Sequence, residues 1–319
     1  MPSVTVVAPG LLTTVQDRGR WGWQAHGVPV AGPMDPWAHR LANALVGNVP
    51  DSAALEITYE GPDVRFDDAR WVAVTGADFD VTVDGCPVPA ETPAAVAPGS
   101  VLRFGALHRG ARAYLAIAGG ITVPPVLGSR STHMDSRMGG LEGRALRAGD
   151  CLPLGDVPTV QAPRGRGVAP SGRQRATGAT AWATLRVIAG PEPARFESGV
   201  LAALESSTYR VESSSNRMGL RLAGPRLSVL DPADRLSEAT PMGTLQVPAS
   251  GQPILLMADR PTTGGYPVLA TVASADIGVA AQLRPGDAVR FVPVSLEEAL
   301  AALIAIERPL MRLAPGAMR

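Results

Sequence analysis

The chain has 319 residues, enough for about two domains of ordinary size with substantial hydrophobic cores. Its 29 basic and 29 acidic residues leave no net charge, so charge alone favours neither nucleic acid nor an anionic membrane as a partner. All the basic residues are arginines. A chain without lysine cannot form a lysine Schiff base, hold a phosphate with a P-loop lysine, or carry covalent biotin.

Cysteine and histidine usage argues against a metal site. Cys86 and Cys151 have no CxxC partner, and the four histidines show no metal-ligand spacing. The sequence begins without a basic region followed by an apolar core, and it contains no apolar run of ~18 residues. These features predict a cytoplasmic protein with reduced thiols, no membrane span and no metal.

Glycine and proline predict the fold class. The chain contains 35 glycines and 30 prolines, spread between short apolar runs, which is typical of strands joined by tight turns. Asp84-Gly85 follows a run of alternating apolar and polar residues and predicts a hairpin turn. Further strands are predicted at residues 185–189, 220–222, 254–257 and 288–292. We therefore expect a mainly β protein.

Helix signals are few, so only short helices are expected. Asp35-Pro36 predicts the start of one helix, with Asp35 as the N-cap, and Gly47 predicts its end. His39 is expected to lie on the surface of this helix. A second helix begins at Ser295, where Glu298 completes a capping box, and a weaker signal covers residues 198–204.

A repeated phrase suggests two similar β-rich halves. Residues 98–104 (PGSVLRF), 148–152 (AGDCL) and 285–291 (PGDAVRF) each form a turn that leads into a strand. Such a phrase also arises by chance in a glycine-rich β protein. The predicted domains are an N-terminal half at 1–155, a flexible linker or loop at 156–180, and a C-terminal half at 181–319.

The segment at 257–267 has the composition of a binding site. An apolar strand ends in Asp259 and Arg260, followed by the hydroxyl- and glycine-rich Thr262-Thr263-Gly264. An arginine can hold a carboxylate with two hydrogen bonds, an aspartate can act as a base or orient a nucleophile, and such a turn offers backbone N–H groups to an anion. The alternative is a β-turn in which Asp259 pairs with Arg260 or another arginine.

Two other segments place polar side chains in glycine-rich or strand-flanking positions. Gln16, Asp17 and Arg20 put donors and a carboxylate within one glycine-rich stretch, where the alternative is a structural loop with an internal Asp–Arg pair. Asn216 and Arg217 precede a strand, and could bind an anion or simply be solvated.

Several phrases together are more specific than any of them alone. GLLTTVQDRGRWG, GVPVAGPMD, LAIAGGI, GSRST, EGRALRAGD, SNRMGLRL and GTLQVPASGQPILLMADRPTTGGYP occur in this order between residues 10 and 267. The chain resembles the biotin-dependent carboxyltransferase, allophanate hydrolase subunit 2 or 5-oxoprolinase C subunit family, which includes the KipA-type proteins. The resemblance, over residues 4–292, implies two cyclophilin-like β-barrel halves with a few short helices.

Three functions are compatible with this resemblance. The first is the C subunit of an ATP-dependent 5-oxoprolinase, which opens 5-oxo-L-proline to L-glutamate together with its A subunit and a KipI-like B subunit. The second is a carboxyltransferase or allophanate-hydrolase-type subunit that acts on urea-like amides, and the third is a non-enzymatic KipA-like antagonist of a kinase inhibitor. We expect the first, because the chain stands alone without fused carboxylase or biotin-carrier modules.

The same resemblance suggests site residues and cofactors. ATP is expected at the level of the complex, without covalent biotin on this chain, and the chain is expected to be inactive without its partner subunits. Family members often carry a lysine where this chain has Val268 and a polar residue where it has Pro261. The expected catalytic residues are Asp259, Arg260, Thr263 and Tyr266, and the expected substrate-binding residues are Gln16, Asp17, Arg20, Asn216, Arg217, Gln246, Thr262, Gly264 and Gly265.

Overall fold

The computed structural model describes residues 2–157, 182–230 and 237–313. The chain forms two compact units, which we call the N-terminal unit (Met1–Trp21, Ala31–Pro170 and Arg308–Arg319) and the C-terminal unit (Gly22–Val30 and Ser171–Glu307). The predicted linker at 156–180 lies, from residue 158 onward, outside the described residues. The predicted halves at 1–155 and 181–319 remain a prediction.

The N-terminal unit is built on an antiparallel sheet. Its nine strands are β1 (Ser3–Ala8), β2 (Leu12–Gln16), β3 (Ala54–Thr58), β4 (Asp63–Phe66), β5 (Arg70–Val83), β6 (Cys86–Pro87), β7 (Ala94–Val96), β8 (Val101–Ile117) and β9 (Cys151–Pro153). The sheet order is β2-β3-β8-β4-β1-β9, and β5 pairs with β6, β7 and β8. The apolar side chains of these strands form one buried core that includes Val4, Leu55 and Leu115. Asp84-Gly85 connects β5 to β6 as a hairpin turn, as predicted.

Helix α1 (Pro36–Leu45) packs against strands β5 and β8. It begins as predicted, because the Asp35 carboxylate accepts a hydrogen bond of 3.1 Å from the Ala38 N–H. The expectation that His39 lies on the surface was wrong. His39 is fully buried, and its Nε2–H donates to the Gln16 carbonyl at 3.1 Å. Residues on several faces of this helix are buried, so helical periodicity alone did not identify an exposed side.

Because His39 is buried, we expect it to make the stability of the folded chain sensitive to acid. Burial lowers the pKa of His39, although the Gln16 carbonyl and the charges of Asp17 and Glu56 act in the opposite direction. An unfolded histidine binds a proton near pH 6.5, whereas the buried one binds it only at lower pH. The contribution of neutral His39 to the free energy of unfolding is therefore complete above pH 6.5. Below pH 6.5 the free energy of unfolding decreases as the pH drops, by at most about 1.4 kcal/mol per pH unit. Urea unfolding of His39→Gln between pH 7.5 and 5.5 should show a flatter pH dependence than the unsubstituted chain.

The exposed His26 provides the control for this measurement. His26→Gln should retain the pH dependence of the unsubstituted chain. Equal slopes for His39→Gln and the unsubstituted chain would show that the His39 proton is not linked to folding.

The C-terminal unit contains a closed barrel. Its strands are β10 (Ala183–Ala189), β11 (Tyr209–Val211), β12 (Gly219–Ala223), β13 (Glu238–Ala239), β14 (Thr244–Gln246), β15 (Ile254–Leu256), β16 (Thr263–Gly264), β17 (Val268–Val272) and β18 (Ala288–Pro293). Seven of them close in the order β10-β17-β14-β15-β12-β11-β18, with β10 and β18 parallel, while β13 and β16 form a separate two-stranded ribbon. Closure leaves these strands without a free sheet edge.

The remaining helices are α2 (Val200–Ser206), α3 (Ile277–Ala281) and α4 (Leu296–Leu313). The predicted capping box begins α4, where Glu298 accepts from the Ser295 N–H at 2.8 Å and donates its own N–H to Ser295 Oγ at 3.1 Å. The sequence did not predict α3, which is too short to show a helical period. No helix in the described ranges is long and apolar enough to span a membrane.

The mainly β prediction is confirmed. The predicted strands at 185–189, 220–222, 254–257 and 288–292 correspond to β10, β12, β15 and β18. The repeated phrases at 98–104 and 285–291 lead into β8 and β18, one in each unit. The two units differ in closure, since the barrel closes in the C-terminal unit and the nine-stranded sheet forms a half-barrel in the N-terminal unit.

Candidate functional site

A tight turn follows strand β15 and carries Asp259 and Arg260. The pairing of β15 with β12 continues past the end of the strand, because Met257 and Asp259 donate their N–H groups to the carbonyls of Met218 and Arg217 at 2.9 Å each. The Arg260 N–H then donates back to the Met257 carbonyl at 3.3 Å. The barrel backbone therefore fixes the position of Asp259 beside Arg217.

Asp259 and Arg217 form a buried, two-point ion pair. Arg217 Nε donates to Asp259 Oδ2 at 2.8 Å and Arg217 Nη2 donates to Oδ1 at 2.9 Å. Their side chains are 6% and 7% exposed, so the pair is nearly excluded from solvent. Both carboxylate oxygens accept from the guanidinium, an arrangement suited to holding the turn in place. This is the alternative in which Asp259 pairs with an arginine other than Arg260.

Arg260 is a buried cation held by carbonyl oxygens. Its Nε donates to the Thr240 carbonyl at 2.7 Å, and its Nη1 lies 3.4 Å from the Met257 carbonyl. Burial lowers the pKa of Arg260, while the nearby charge of Asp259 raises it. Among the described residues, no carboxylate lies within 4.0 Å of its guanidinium nitrogens. Arg260 thus keeps a positive charge that no ion pair of the described chain neutralises, as an anion-binding residue requires.

Gln246, at the end of β14, brings a second donor to the same place. Gln246 is buried, and its Nε2 has no hydrogen-bond partner within the described ranges. Gly264 lies against it, since a Cβ at Gly264 would be 2.7 Å from Gln246 Nε2 and 3.1 Å from Thr240 Cγ2. Thr240 therefore adjoins both Arg260 and Gln246. We call Thr240, Gln246, Arg260 and Gly264 the donor site.

A short ribbon covers one side of the donor site. Strands β13 and β16 pair Ala239 with Thr263, and the Thr240 N–H donates to the Thr262 carbonyl at 3.1 Å. Thr263 and Tyr266 are exposed, Tyr266 by 51%. The Thr263-to-Tyr266 segment therefore presents hydroxyl groups to solvent next to the buried donors.

Asn216 has a local structural contact. Its Oδ1 accepts a hydrogen bond of 2.8 Å from the Met218 N–H, which shapes the turn just before β12. Its neighbour Arg217 points to Asp259. The structure thus brings four of the predicted residues to the turn after β15, namely Asn216, Arg217, Asp259 and Arg260. Gln246 and Gly264 lie against each other and adjoin Thr240, whose carbonyl binds Arg260. Thr263, Gly265 and Tyr266 lie on the segment between β15 and β17.

The predicted residues of the N-terminal unit form a different cluster. The Asp17 carboxylate accepts four hydrogen bonds of 2.5 to 3.0 Å, from the Gly19 and Arg130 N–H groups and the Ser129 and Ser131 hydroxyls. Burial by itself raises the pKa of Asp17, but these hydrogen bonds outweigh it and place the pKa below its ordinary value.

Arg20 and Gln16 complete this cluster. Arg20 is fully buried and donates from Nε to the Val126 carbonyl at 3.0 Å and from Nη2 to the Ser131 carbonyl at 2.7 Å. Gln16 Nε2 donates to the Thr132 carbonyl at 3.1 Å, while its Oε1 is buried without a partner among the described groups. Gln16, Asp17 and Arg20 therefore fasten the segment at 126–132 to the end of β2.

Sequence reasoning missed Thr240, and it treated Ser129 and Ser131 as part of a separate segment that could bind an anion, without predicting their contact with Asp17. Thr240 carries no motif, and Ser129 lies 112 residues from Asp17 along the chain. Across the described residues, no group of three or more His, Cys, Asp and Glu side chains could hold a metal ion.

Comparison with known proteins assigns the family. Residues 26–293 match the model of the carboxyltransferase domain, subdomains A and B. The chain belongs to this family. The resemblance seen in the sequence is confirmed by this match, which spans most of both units.

Relatives of this carboxyltransferase-domain chain differ in length. It is 40% identical to the C subunit of 5-oxoprolinase from Escherichia coli (strain K12) over 93% of both chains. Among solved structures, it superposes on the K. lactis urea amidolyase with a TM-score of 0.89 and 32% identity, covering 99% of this chain but 20% of that one. It matches TTHA0988 with a TM-score of 0.80 and 35% identity, over 92% of this chain and 56% of that one.

Proposed function

We propose that this chain is the C subunit of an ATP-dependent 5-oxoprolinase, which opens 5-oxo-L-proline to L-glutamate together with the A and B subunits. The observation that carries this proposal is the 40% identity to the C subunit of Escherichia coli 5-oxoprolinase across 93% of both chains. The alternative, a carboxyltransferase or allophanate-hydrolase-type role on urea-like amides, has weaker support because the match covers only 20% of the K. lactis urea amidolyase.

The donor site suits the chemistry of this substrate. 5-Oxo-L-proline carries a carboxylate and a lactam carbonyl, and both groups accept hydrogen bonds. In the proposal, Arg260 binds the carboxylate and Gln246 Nε2 donates to the lactam carbonyl. Gly264 packs directly against Gln246, since a Cβ there would lie 2.7 Å from Gln246 Nε2, so a residue without a side chain is needed for the loop to approach this donor. Donors on the carbonyl would also stabilise negative charge that develops on its oxygen as the lactam bond is cleaved.

The ion pair gives Asp259 a positioning role in this proposal. Both its oxygens accept from Arg217, so we assign it to holding the turn that carries Arg260 rather than to the acid or base role expected from the sequence. The hydroxyls of Thr263 and Tyr266 are exposed and available to the substrate or to another protein of the complex. Thr262 directly precedes this pair of hydroxyl-bearing residues, and Gly265 lies between them.

The complex would divide the chemistry between its subunits. Because this chain has no lysine, it contains no P-loop lysine and no biotinylation site, so we place ATP on one of the partner subunits and no biotin here. The exposed thiols of Cys86 and Cys151 are compatible with a reducing, cytoplasmic location. We propose that the chain alone is inactive.

Reconstitution tests the proposed function. The purified chain is combined with its cognate A and B subunits, and ATP-dependent release of glutamate from 5-oxoproline is measured. We expect turnover only when all three subunits are present. Turnover of urea with a biotinylated partner, and none of 5-oxoproline, would instead support the carboxyltransferase role. Binding to the KipI-like B subunit without turnover of either substrate would support the regulatory role.

Arg260→Met in the reconstituted enzyme should reduce kcat/KM for 5-oxoproline by about 100-fold or more, because hydrogen bonds to the substrate carboxylate would be lost and each hydrogen bond to a charged group is worth roughly 1.5–3 kcal/mol. Arg260→Lys should recover little activity, because an ammonium cannot bind a carboxylate with two parallel hydrogen bonds. Arg221, whose side chain is exposed on β12, provides the control, and Arg221→Met should keep full activity. Normal turnover by Arg260→Met would show that the donor site takes no part in the reaction.

A further inference from the structure

Helix α4 carries apolar side chains on two of its faces. One face packs against the rest of the chain and includes the buried side chains of Ala299 and Leu310. The other face presents Leu296, Leu300 and Ile304, which are 70%, 53% and 49% exposed. These three residues follow one another at intervals of four, so their side chains lie next to each other along the helix. We call Leu296, Leu300 and Ile304 the apolar row.

The apolar row differs from the exposed face of an ordinary surface helix. Such a helix buries its apolar face and turns charged side chains to water. A single exposed leucine would need no explanation, but three adjacent ones form a patch of the kind that marks an interface. The match to the carboxyltransferase domain ends at residue 293, before α4 begins, and the proposed reaction uses no residue of this helix. The apolar row is therefore a candidate interface separate from the donor site.

Charges of opposite sign lie beside the two ends of the apolar row. Glu297 is in the first turn of α4, and Arg308 follows eleven residues later; both are exposed. Eleven residues are close to three full helical turns, so both side chains lie on the same side of the apolar row. In the part of the chain that the structure describes, neither has an ion-pair partner. This side of α4 therefore runs from a negative to a positive charge.

A second copy of the chain would complement this arrangement. When two identical helices pack antiparallel about a two-fold axis, the same side of each helix meets in opposite directions. With the axis at residue 302, Leu300 of each copy lies opposite Ile304 of the other. Glu297 is five residues before the axis and Arg308 is six residues after it, so the two charges lie within about 1.5 Å of the same height. One register therefore satisfies both the apolar contacts and the charges.

We propose that the chain forms a two-fold dimer in which the apolar rows of two copies pack antiparallel and Glu297 of each copy pairs with Arg308 of the other. A second copy necessarily carries the reversed order of charges, whereas an unrelated protein need not. Glu307 borders the apolar row but is half-buried and has contacts within its own chain, and Pro309 lies beyond the paired residues. The dimer is independent of the proposed 5-oxoprolinase function, because it uses no residue of the donor site.

Sedimentation velocity of the full chain between about 1 and 100 μM should show a monomer–dimer equilibrium, as expected for a small interface. Ile304→Glu should raise the dissociation constant by about ten-fold or more, because it places a carboxylate from each copy in the apolar contact. Ala305→Glu puts the same side chain on another exposed side of α4, and this control should dimerise normally. Both variants should unfold in urea like the unsubstituted chain, since both positions are exposed and glutamate favours helix.

A charge exchange tests the antiparallel orientation. Glu297→Arg and Arg308→Glu each place like charges opposite one another, so each should raise the dissociation constant by about three- to ten-fold. The double variant again has opposite charges facing each other across the axis, and it should dimerise as the unsubstituted chain does. Parallel packing of the two helices would not give this recovery.

Any of three results would overturn the dimer: a monomer at all concentrations, a dissociation constant unchanged by Ile304→Glu, or a double charge exchange that does not recover the affinity. A chain that stays monomeric and binds the A or B subunit only when Ile304 is present would assign the apolar row to that subunit instead. Because dimerisation is measured without substrate, ATP or the other subunits, its failure would leave the proposed reaction untouched, and failure of the reaction would leave the dimer.

Discussion

Replacing Arg217 with methionine should destabilise the C-terminal unit by about 3–5 kcal/mol, the usual cost of removing one partner of a buried ion pair. The Asp259 carboxylate is 7% exposed and both its oxygens accept from Arg217. Without the guanidinium, a negative charge would remain in a site that solvent barely reaches. The carboxylate would then have to take up a proton or draw water into the end of the barrel.

A double-mutant cycle measures this coupling. Arg217→Met, Asp259→Leu and the double variant are compared by urea unfolding. Each single variant should be strongly destabilised, whereas the double variant should lose far less than their sum, because it leaves no unpaired buried charge. Additive losses would show that the two side chains act independently. Arg221→Met, on the exposed face of β12, should cost less than about 0.5 kcal/mol.

The same variants distinguish a positioning role from acid or base catalysis. If Asp259 only holds the turn, Asp259→Asn should lower turnover without changing the shape of the pH profile of kcat, because no catalytic proton is lost. A catalytic carboxylate would instead contribute a limb to that profile, which Asp259→Asn would remove. Loss of that limb would restore the role expected from the sequence.

Local sequence signals predicted local structure well. Asp35 caps α1, Ser295 and Glu298 form the capping box of α4, and Asp84-Gly85 turns a hairpin, each within a few residues of the pattern that predicted it. Each of these signals acts through contacts between neighbours in the chain. The turn after β15 could be recognised as a candidate binding site for the same reason, because its polar residues are neighbours in the sequence.

Contacts between distant residues could not be predicted in this way. Asp17 binds Ser129 and Ser131, more than 110 residues away, and nothing near Asp17 in the sequence indicates that its partners are hydroxyls rather than Arg20 or a ligand. Similarly, Asp259 forms its ion pair with Arg217, which lies 42 residues away in the sequence and is brought close by the pairing of β12 with β15. The identity of a partner depends on strand pairing across the unit, and that pairing fixes whether a charged side chain serves structure or chemistry.

Asp17→Asn should destabilise the N-terminal unit at neutral pH by about 3 kcal/mol, since hydrogen bonds to a charged group are worth roughly 1.5–3 kcal/mol and several are weakened together. The carboxylate accepts from two hydroxyls and two backbone N–H groups. An amide nitrogen in place of one oxygen would face a donor instead of accepting from it.

The pH dependence identifies the carboxylate charge as the cause. The pKa of Asp17 lies below its ordinary value of 3.8, so its contribution to stability is complete above that pH and is lost as the pH falls through the folded-state pKa. Urea unfolding of the unsubstituted chain and of Asp17→Asn should therefore differ by a constant amount from pH 7 to pH 5 and by progressively less as the pH falls below 3.8, where the unfolded carboxylate takes up a proton before the folded one does. A difference that persists unchanged at the lowest pH would assign the loss to side-chain shape instead of charge. In that case Asp17 would hold the 126–132 segment by packing, and the position of that segment would not depend on a buried negative charge.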